Sequence, residues 1–378
     1  MDFRFTDEQR MLADTAASFM QAVSDSTSTR AAMATDLGFD RPTWQRLCEE
    51  MYWQGIAVPE AQGGLALGMV ELAIVLEAMG ERLHCSPLYA TAVATLLLRS
   101  FDSSPTRDAL LEHIAGGSIV ALAHSAAHGD WSVNGCAVHA VRKDEGWCLD
   151  GQARFVPFGH AADTVLVVAT TDAGMALFAV QAGAEGVTCE RTPTLDQTRA
   201  MAELQLASVH VAADQCVAAD AAEDVSRILD AARILLAADQ VGGARKSLEI
   251  SVDYVKERVQ FGRTVASFQA IKHKAADMMV KAESARSLLY AAACIADEWF
   301  AGEGSDEQLA EAAAMTAAAA GDAYFFCAGC GIQLHGGVGI TEEYDIQLYF
   351  KRARSTEAYL GQPAQDRERV AQLLLDGA

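Results

Sequence analysis

Lys256-Glu257-Arg258-Val259-Gln260-Phe261-Gly262-Arg263 and, three residues later, Ser267-Phe268-Gln269-Ala270-Ile271-Lys272-His273-Lys274 form the stretch on which the reading of this chain turns. The first segment closes one alanine-rich amphipathic run and the second opens another. Three such runs, 221–260, 266–301 and 306–331, each exceed a mean globular helix and are divided by short Gly, Asp and Ser breaks. They read as a helical bundle. Taken alone, a charged helix end before a glycine turn is a solvated cap. Further on, Gln333-Leu334-His335-Gly336-Gly337-Val338-Gly339-Ile340-Thr341 places three glycines where backbone amides can approach a pyrophosphate closely. A plain turn explains a lone glycine cluster equally well.

Upstream of the bundle the texture differs. Residues 1–118 read as an N-terminal helical domain, since Phe5, Met11, Leu12 and Ala16 recur at helical spacing and Met69–Leu83 continues the pattern after a Gly-rich turn. Residues 119–218 carry short β-branched runs such as Thr164-Val165-Leu166-Val167-Val168 and Gly186-Val187-Thr188-Cys189, separated by Gly, Asp and Pro. This is a middle β domain, and 219–378 is the C-terminal bundle. The expected class is α+β in the order α, β, α, without a low-complexity linker or an internal repeat.

Composition narrows the function. The chain has 378 residues, 51% of them hydrophobic, and a net charge of −22 from 29 basic and 51 acidic side chains. It is rich enough in apolar residues to fold, and its acidity excludes a nucleic-acid partner, whose phosphates require clustered Lys and Arg. No window holds the roughly 18 uninterrupted apolar residues of a membrane span. The opening Met-Asp-Phe-Arg-Phe-Thr-Asp-Glu-Gln-Arg-Met is unlike a signal peptide, so the cytoplasm is expected. Nine scattered cysteines, an odd number, are expected to be reduced.

Together with Val58-Pro59-Glu60-Ala61-Gln62-Gly63-Gly64 and Tyr349-Phe350-Lys351-Arg352-Ala353, these segments resemble the acyl-CoA dehydrogenase family of flavoproteins, over essentially the whole chain and in the same order. The resemblance implies an N-terminal helical domain, a middle β-barrel-like domain and a C-terminal four-helix bundle, assembled as a tetramer of paired dimers. It implies FAD as cofactor, an acyl-CoA substrate and an electron-transfer acceptor protein. The family's reaction is α,β-desaturation, in which a carboxylate removes the α-proton while a hydride leaves the β-carbon for the flavin. By the same resemblance, Arg258, Phe261, Gln269, Gln333, Gly336 and Gly337 occupy the positions that reach across a dimer interface to the adenine and pyrophosphate of a neighbour's FAD.

The half that receives a subunit's own flavin departs from the family. A Thr-Glu-Pro followed by Gly-Ser-Asp is replaced by Ala123-His124-Ser125-Ala126-Ala127-His128-Gly129-Asp130, and an aromatic-Ile-Thr by Phe155-Val156-Pro157. Proline supplies neither N–H nor hydroxyl. The base is missing too. The family's Tyr-Glu-Gly-Thr is Tyr359-Leu360-Gly361-Gln362 here, and the alternative glutamate, directly before the arginine 24 positions upstream of Glu257, falls on Ala232 before Arg233. No catalytic residue is therefore assigned. Asp230, three residues from Arg233 on the same helical stretch, is a candidate to take over the role, but an acid near a helix start is more often a dipole or capping residue.

The resemblance thus implies a base-lacking subunit of a heteromeric acyl-CoA dehydrogenase, in a two-plus-two tetramer with a second, Glu-containing subunit. The substrate this implies is a bulky thioester of the steroid-derived kind, a subgroup that Thr194-Leu195-Asp196-Gln197-Thr198-Arg199 also resembles. The alternatives are a homotetramer with an unorthodox base and a non-catalytic scaffold. Other candidates have plainer readings: Cys327 and Cys330 as buried helix thiols, His124, His128 and His139 as surface or loop histidines, and no metal site. His335 either faces the ligand or caps a turn.

Overall fold

A computed structural model describes residues 5–125 and 130–376. In chain order the elements are α1 (Asp7–Val23), α2 (Ser26–Met33), α3 (Arg41–Arg46), α4 (Met69–Glu81), α5 (Leu88–Arg99) and α6 (Pro105–Ala115). Strands follow as β1 (Val120–Ala123), β2 (Val138–Lys143), β3 (Gly146–Pro157), β4 (Thr164–Thr171), β5 (Gly174–Gln181), β6 (Val187–Thr192), β7 (Met201–Ala212) and β8 (Cys216–Ala218). The rest is α7 (Ala222–Glu257), β9 (Val259–Gln260), β10 (Arg263–Thr264), α8 (Gln269–Phe300), α9 (Asp306–His335), α10 (Ile346–Ala358) and α11 (Pro363–Asp376). No described helix is long and apolar enough to cross a membrane.

The chain forms two compact units. One takes the residues up to Arg30, Met69–His84 and everything from Asp230 onward; the other takes Ala31–Gly68 and Cys85–Leu229.

In the helical unit the boundaries follow from capping. Thr6 and Gln9 close a capping box at α1, and Ser305 and Gln308 do the same at α9, each satisfying backbone N–H groups that the helix leaves over. The start of α4 is capped from elsewhere in the chain: the Asp297 carboxylate accepts from the N–H groups of Met69 and Val70 at 2.6 and 3.2 Å. Glycines set how closely the helices cross. A Cβ on Gly242 of α7 would lie 2.0 Å from the Glu77 carbonyl oxygen, and one on Gly80 of α4 would lie 2.2 Å from that of Asp239. Buried Glu77 ties the contact together, accepting from Arg245 and Arg286 at 2.7 Å each and from the Tyr290 hydroxyl.

In the other unit, one mixed sheet runs β6-β7-β3-β2-β4-β5-β8, with β1 parallel to β4 beside that path. The path ends without joining up, so the barrel-like domain implied by the resemblance is an open sheet. Helix α5 packs on β1 and is buried from Leu88 through Leu98, which is why its sequence is apolar all round rather than striped. Strand β3 carries irregularities after Leu149 and after Ala153; the second falls at Phe155, whose φ is +58°.

Candidate functional site

Helix α7 runs out at Glu257, and the next N–H, of Arg258, still donates to the Tyr254 carbonyl at 2.9 Å. The chain then makes a tight hairpin, with Gln260 paired to Arg263 and Val259 to Thr264. Its two turn residues, Phe261 and Gly262, have φ of +56° and +76°, the pattern of a type I′ turn, which prefers Asn-Gly or Asp-Gly. A bulky residue in that conformation costs roughly 1–2 kcal/mol. Phe261 is nevertheless 92% exposed, with the Phe268 ring 6.3 Å away edge-on. Neither burial nor backbone preference explains a phenylalanine here. Arg258 and Gln269 are exposed beside it.

The glycine segment forms at the end of α9. Gly336 takes φ +64° and ψ −141°, a combination closed to other residues, and its N–H caps the helix on Ile332 and Gln333. A Cβ on Gly336 or Gly337 would meet nothing within 4 Å. Gly339 differs: a Cβ there would lie 2.8 Å from the Ile332 oxygen and 2.9 Å from the His335 Cβ. The three glycines therefore divide into two that present open backbone and one that serves packing. Gln333 is exposed beside the open pair. His335 neither faces outward nor caps the turn; it is buried, and its ring stacks on Tyr254 with centroids 4.2 Å apart. That contact joins the two motifs, 77 residues apart from Arg258 to His335. An exposed guanidinium, two carboxamides and unobstructed glycine backbone suit the phosphates and adenine of FAD.

The two positions that the resemblance assigns to a base carry no carboxylate. Ala232 and Leu360 are both buried, and Leu360 sits at φ +65° with its carbonyl accepting from Arg233 Nε at 3.0 Å. Asp230 lies in the third turn of α7, not at its start, and is 4% exposed. Its carboxylate is bound by Arg233 at 2.8 Å and by both terminal nitrogens of Arg369, one of them at 2.7 Å. Asp366 completes the cluster, 3.9 Å from Arg233 Nε. Burial pushes its carboxyl up to about 6, against the pull of Arg233 and Arg369. The cleft bounded by Arg233, Leu360, Gly361 and Asp366 has a volume of about 10 Å³, room for one water at most.

On the sheet, Pro157 pairs with Met201 at the end of β3, so the segment that replaces the family's aromatic-Ile-Thr offers no N–H there. Ser125 and Arg154 are strapped together, Ser125 Oγ donating to the Arg154 carbonyl at 2.7 Å and the Arg154 N–H to the Ser125 carbonyl at 3.1 Å. Above them Trp131 lies 5.6 Å from Phe155 and 6.2 Å from His124, which is buried rather than on the surface. Residues 126–129, including His128, lie outside the described residues. His139 is exposed on β2. Val58–Gly64 folds as a short turn in which the Tyr52 hydroxyl donates to the Gly63 carbonyl at 2.5 Å. Tyr349–Ala353 is structural, its Tyr349 hydroxyl donating to the Glu81 carbonyl at 2.7 Å and Arg352 to Asp239 at 3.2 Å. Cys327 and Cys330 are buried in α9, the Cys327 thiol pushed up to about 12 by burial. Among the described residues, no three His, Cys, Asp or Glu side chains are grouped to hold a metal ion.

Sequence reasoning missed the hairpin, the Tyr254–His335 stack and the Arg369–Asp230 closure. None had a clear local signal: even at the hairpin, Phe-Gly is not one of the pairs that mark a tight turn.

Comparison with known proteins agrees with this anatomy. Residues 6–118 match "Acyl-CoA dehydrogenase, N-terminal domain" and residues 222–375 match "Acyl-CoA dehydrogenase, C-terminal domain". The chain is 33% identical to acyl-CoA dehydrogenase IpdE2 of Mycobacterium tuberculosis over 357 residues, 94% of each sequence. It is similar to a chain of the ChsE4-ChsE5 complex of Mycobacterium tuberculosis, with a TM-score of 0.89 and 27% identity over 99% of both chains. A chain of the Tcur3481-Tcur3483 steroid ACAD gives a TM-score of 0.87 and 30% identity over 98% of both. With two matched domains, this identity over nearly its full length and the fold in common, the chain belongs to the acyl-CoA dehydrogenase family of FAD-dependent oxidoreductases.

Proposed function

We propose that this chain is the flavin-donating subunit of a heteromeric acyl-CoA dehydrogenase. It contributes Arg258, Phe261, Gln269, Gln333, Gly336 and Gly337 to FAD held by a second acyl-CoA dehydrogenase subunit, and that partner supplies the catalytic glutamate. The observation that supports the reading is an asymmetry: the Arg258–Gly262 and Gly336–Gly337 surface is open, with Phe261 exposed at positive φ, while Ala232 and Leu360 are buried and the Leu360 carbonyl is bound by Arg233 within the Asp230–Arg369 cluster. FAD, when bound, accepts the substrate's hydride. The assembly is a two-plus-two tetramer of chains each divided at about 118 and 218, working in the cytoplasm and passing electrons to an acceptor protein. The likeness to IpdE2, to a two-chain complex and to a steroid ACAD supports a bulky acyl-CoA, steroid-derived, as substrate.

The competing homotetramer needs a base of its own. Asp366, beside Leu360 and Arg233, is a carboxylate whose pKa is raised by burial, but its one-water cleft admits no thioester. Acyl-CoA desaturation, followed with an electron-accepting dye, separates the readings. The chain alone is expected to be inactive, and its complex with a Glu-bearing partner active only while that glutamate is intact. Turnover by this chain alone, or by a complex whose partner carries Gln for that Glu, would overturn the proposal.

A further inference from the structure

The exposed motifs lean on a stacked pair, buried His335 and half-buried Tyr254. The Arg258 backbone hangs from the Tyr254 carbonyl, and Gly336 is bonded directly to His335. The two rings stack at 4.2 Å and 20°, and Tyr344 meets both edge-on, at 6.1 Å from Tyr254 and 6.0 Å from His335. The imidazole is itself fixed. Its Nδ1 lies 2.7 Å from the Gly331 carbonyl oxygen, and since a carbonyl can only accept, Nδ1 carries the proton. Gly331 in turn lets α7, α9 and α10 close up, because a Cβ there would fall 2.9 Å from Ser251 Oγ and 2.5 Å from Ile346 Cδ1. The loop beyond Gly337 then comes back to the same residue, with Gly339 against the His335 Cβ. The open glycine pair is thus held on both sides by one residue, His335, whose ring stacks on Tyr254 in the last turn of α7, just before Arg258.

We infer that Tyr254 and His335 are positioning residues that set the distance between the Arg258 guanidinium and the Gly336–Gly337 backbone, and so tune this surface to a diphosphate-bearing cofactor. The inference rests on the proposed donating role. A stacked pair of this kind contributes through the spacing it enforces, so what matters at position 335 is a flat ring in contact with Tyr254. The Nδ1–H bond serves only to orient that ring.

The test is FAD affinity of the reconstituted heteromeric complex, measured by equilibrium dialysis beside the thermal midpoint of the flavin-free complex. His335→Gln and Tyr254→Leu remove stacking and are expected to weaken FAD binding by about tenfold each. His335→Phe and Tyr254→Phe keep a ring and should stay within about threefold of the unmodified complex. The double variant H335Q/Y254L should lose little more than either single change, because the two residues act as one contact. Equal losses in His335→Phe and His335→Gln, or losses that add in the double variant, would overturn the inference. So would unchanged affinity in both stacking-loss variants. Arg258→Ala separates this from failure of the donating role: if it weakens FAD binding while Tyr254→Leu and His335→Gln do not, only the positioning inference falls. If it too has no effect, the donating role falls with it.

Discussion

Arg233 donates from Nε to the carbonyl of Leu360, 3.0 Å away, while its terminal nitrogen holds Asp230 at 2.8 Å. One side chain thereby joins the loop before α11 to the third turn of α7, the two stretches on which the resemblance places a base. Neither place has a carboxylate free to accept a proton from a substrate. A charge cluster that binds α11 to α7 through Arg369 stands there instead.

Restoring the missing acid should therefore fail. A glutamate introduced as Leu360→Glu enters a site 2% exposed, beside Asp366 and within reach of Arg233. Burying it costs about 1–3 kcal/mol of stability, and it pairs with the arginine rather than serving a thioester. Urea unfolding should show the loss and the isolated variant should show no dehydrogenation. A turning-over Leu360→Glu chain would mean that this subunit keeps a competent site.

Asp230→Asn tests whether Asp230 is a clasp or a base. Removing its charge strands two arginines, one of them well buried, and should cost roughly 2–4 kcal/mol. FAD binding and turnover of the complex are expected to survive in the fraction that stays folded. Lost turnover with an unchanged unfolding midpoint would mark Asp230 as a base.

Asp366 gives a pH dependence whose sign is fixed. Its carboxyl rises from 3.8 to about 6 on folding because it is buried, so the folded state binds the proton more tightly than the unfolded chain. Its stabilising contribution is complete below about pH 4 and is lost as the pH rises through about 6, up to about 3 kcal/mol in all. Asp366→Asn should consequently gain stability over the unmodified chain between pH 4 and 6 and hold that gain above it. Thermal midpoints of both proteins across this range give the difference; a flat or falling difference contradicts the assignment.

Phe261 should trade stability for function. Asparagine suits the first position of a type I′ turn, so Phe261→Asn is expected to leave the isolated chain as stable or up to about 1 kcal/mol more so. The same change should weaken FAD retention by the complex severalfold, because the exposed ring is lost. Flavin content after gel filtration, read beside the unfolding midpoint, distinguishes this from a purely structural role, in which both would fall together.

The long helices were legible because their alanine-rich, 3.6-residue patterns are local, and observed helices at Ala222–Glu257, Gln269–Phe300 and Asp306–His335 sit where those patterns run. The turn at Phe261-Gly262 escaped because phenylalanine is a poor signal for positive φ. Strand order escaped because pairing such as β3 with β7 joins residues from 44 (Pro157 with Met201) to 66 (Gly146 with Ala212) positions apart, which no local pattern encodes. At the site, the motif residues were readable one by one, but their grouping was not. Tyr254 and His335 meet across 81 residues, and Asp230 and Arg369 across 139. The absence of a glutamate at 360 could be read from sequence; that arginines and a buried Asp366 had closed the space could not.

The central claim, that this subunit donates to a flavin it does not hold as its own, is tested most directly by FAD stoichiometry and native mass. The chain should be purified alone and then with a Glu-bearing acyl-CoA dehydrogenase co-expressed beside it. The account predicts little flavin in the chain alone and a mixed tetramer carrying about one FAD per pair of unlike chains. One FAD per chain in a homotetramer of this protein would contradict it.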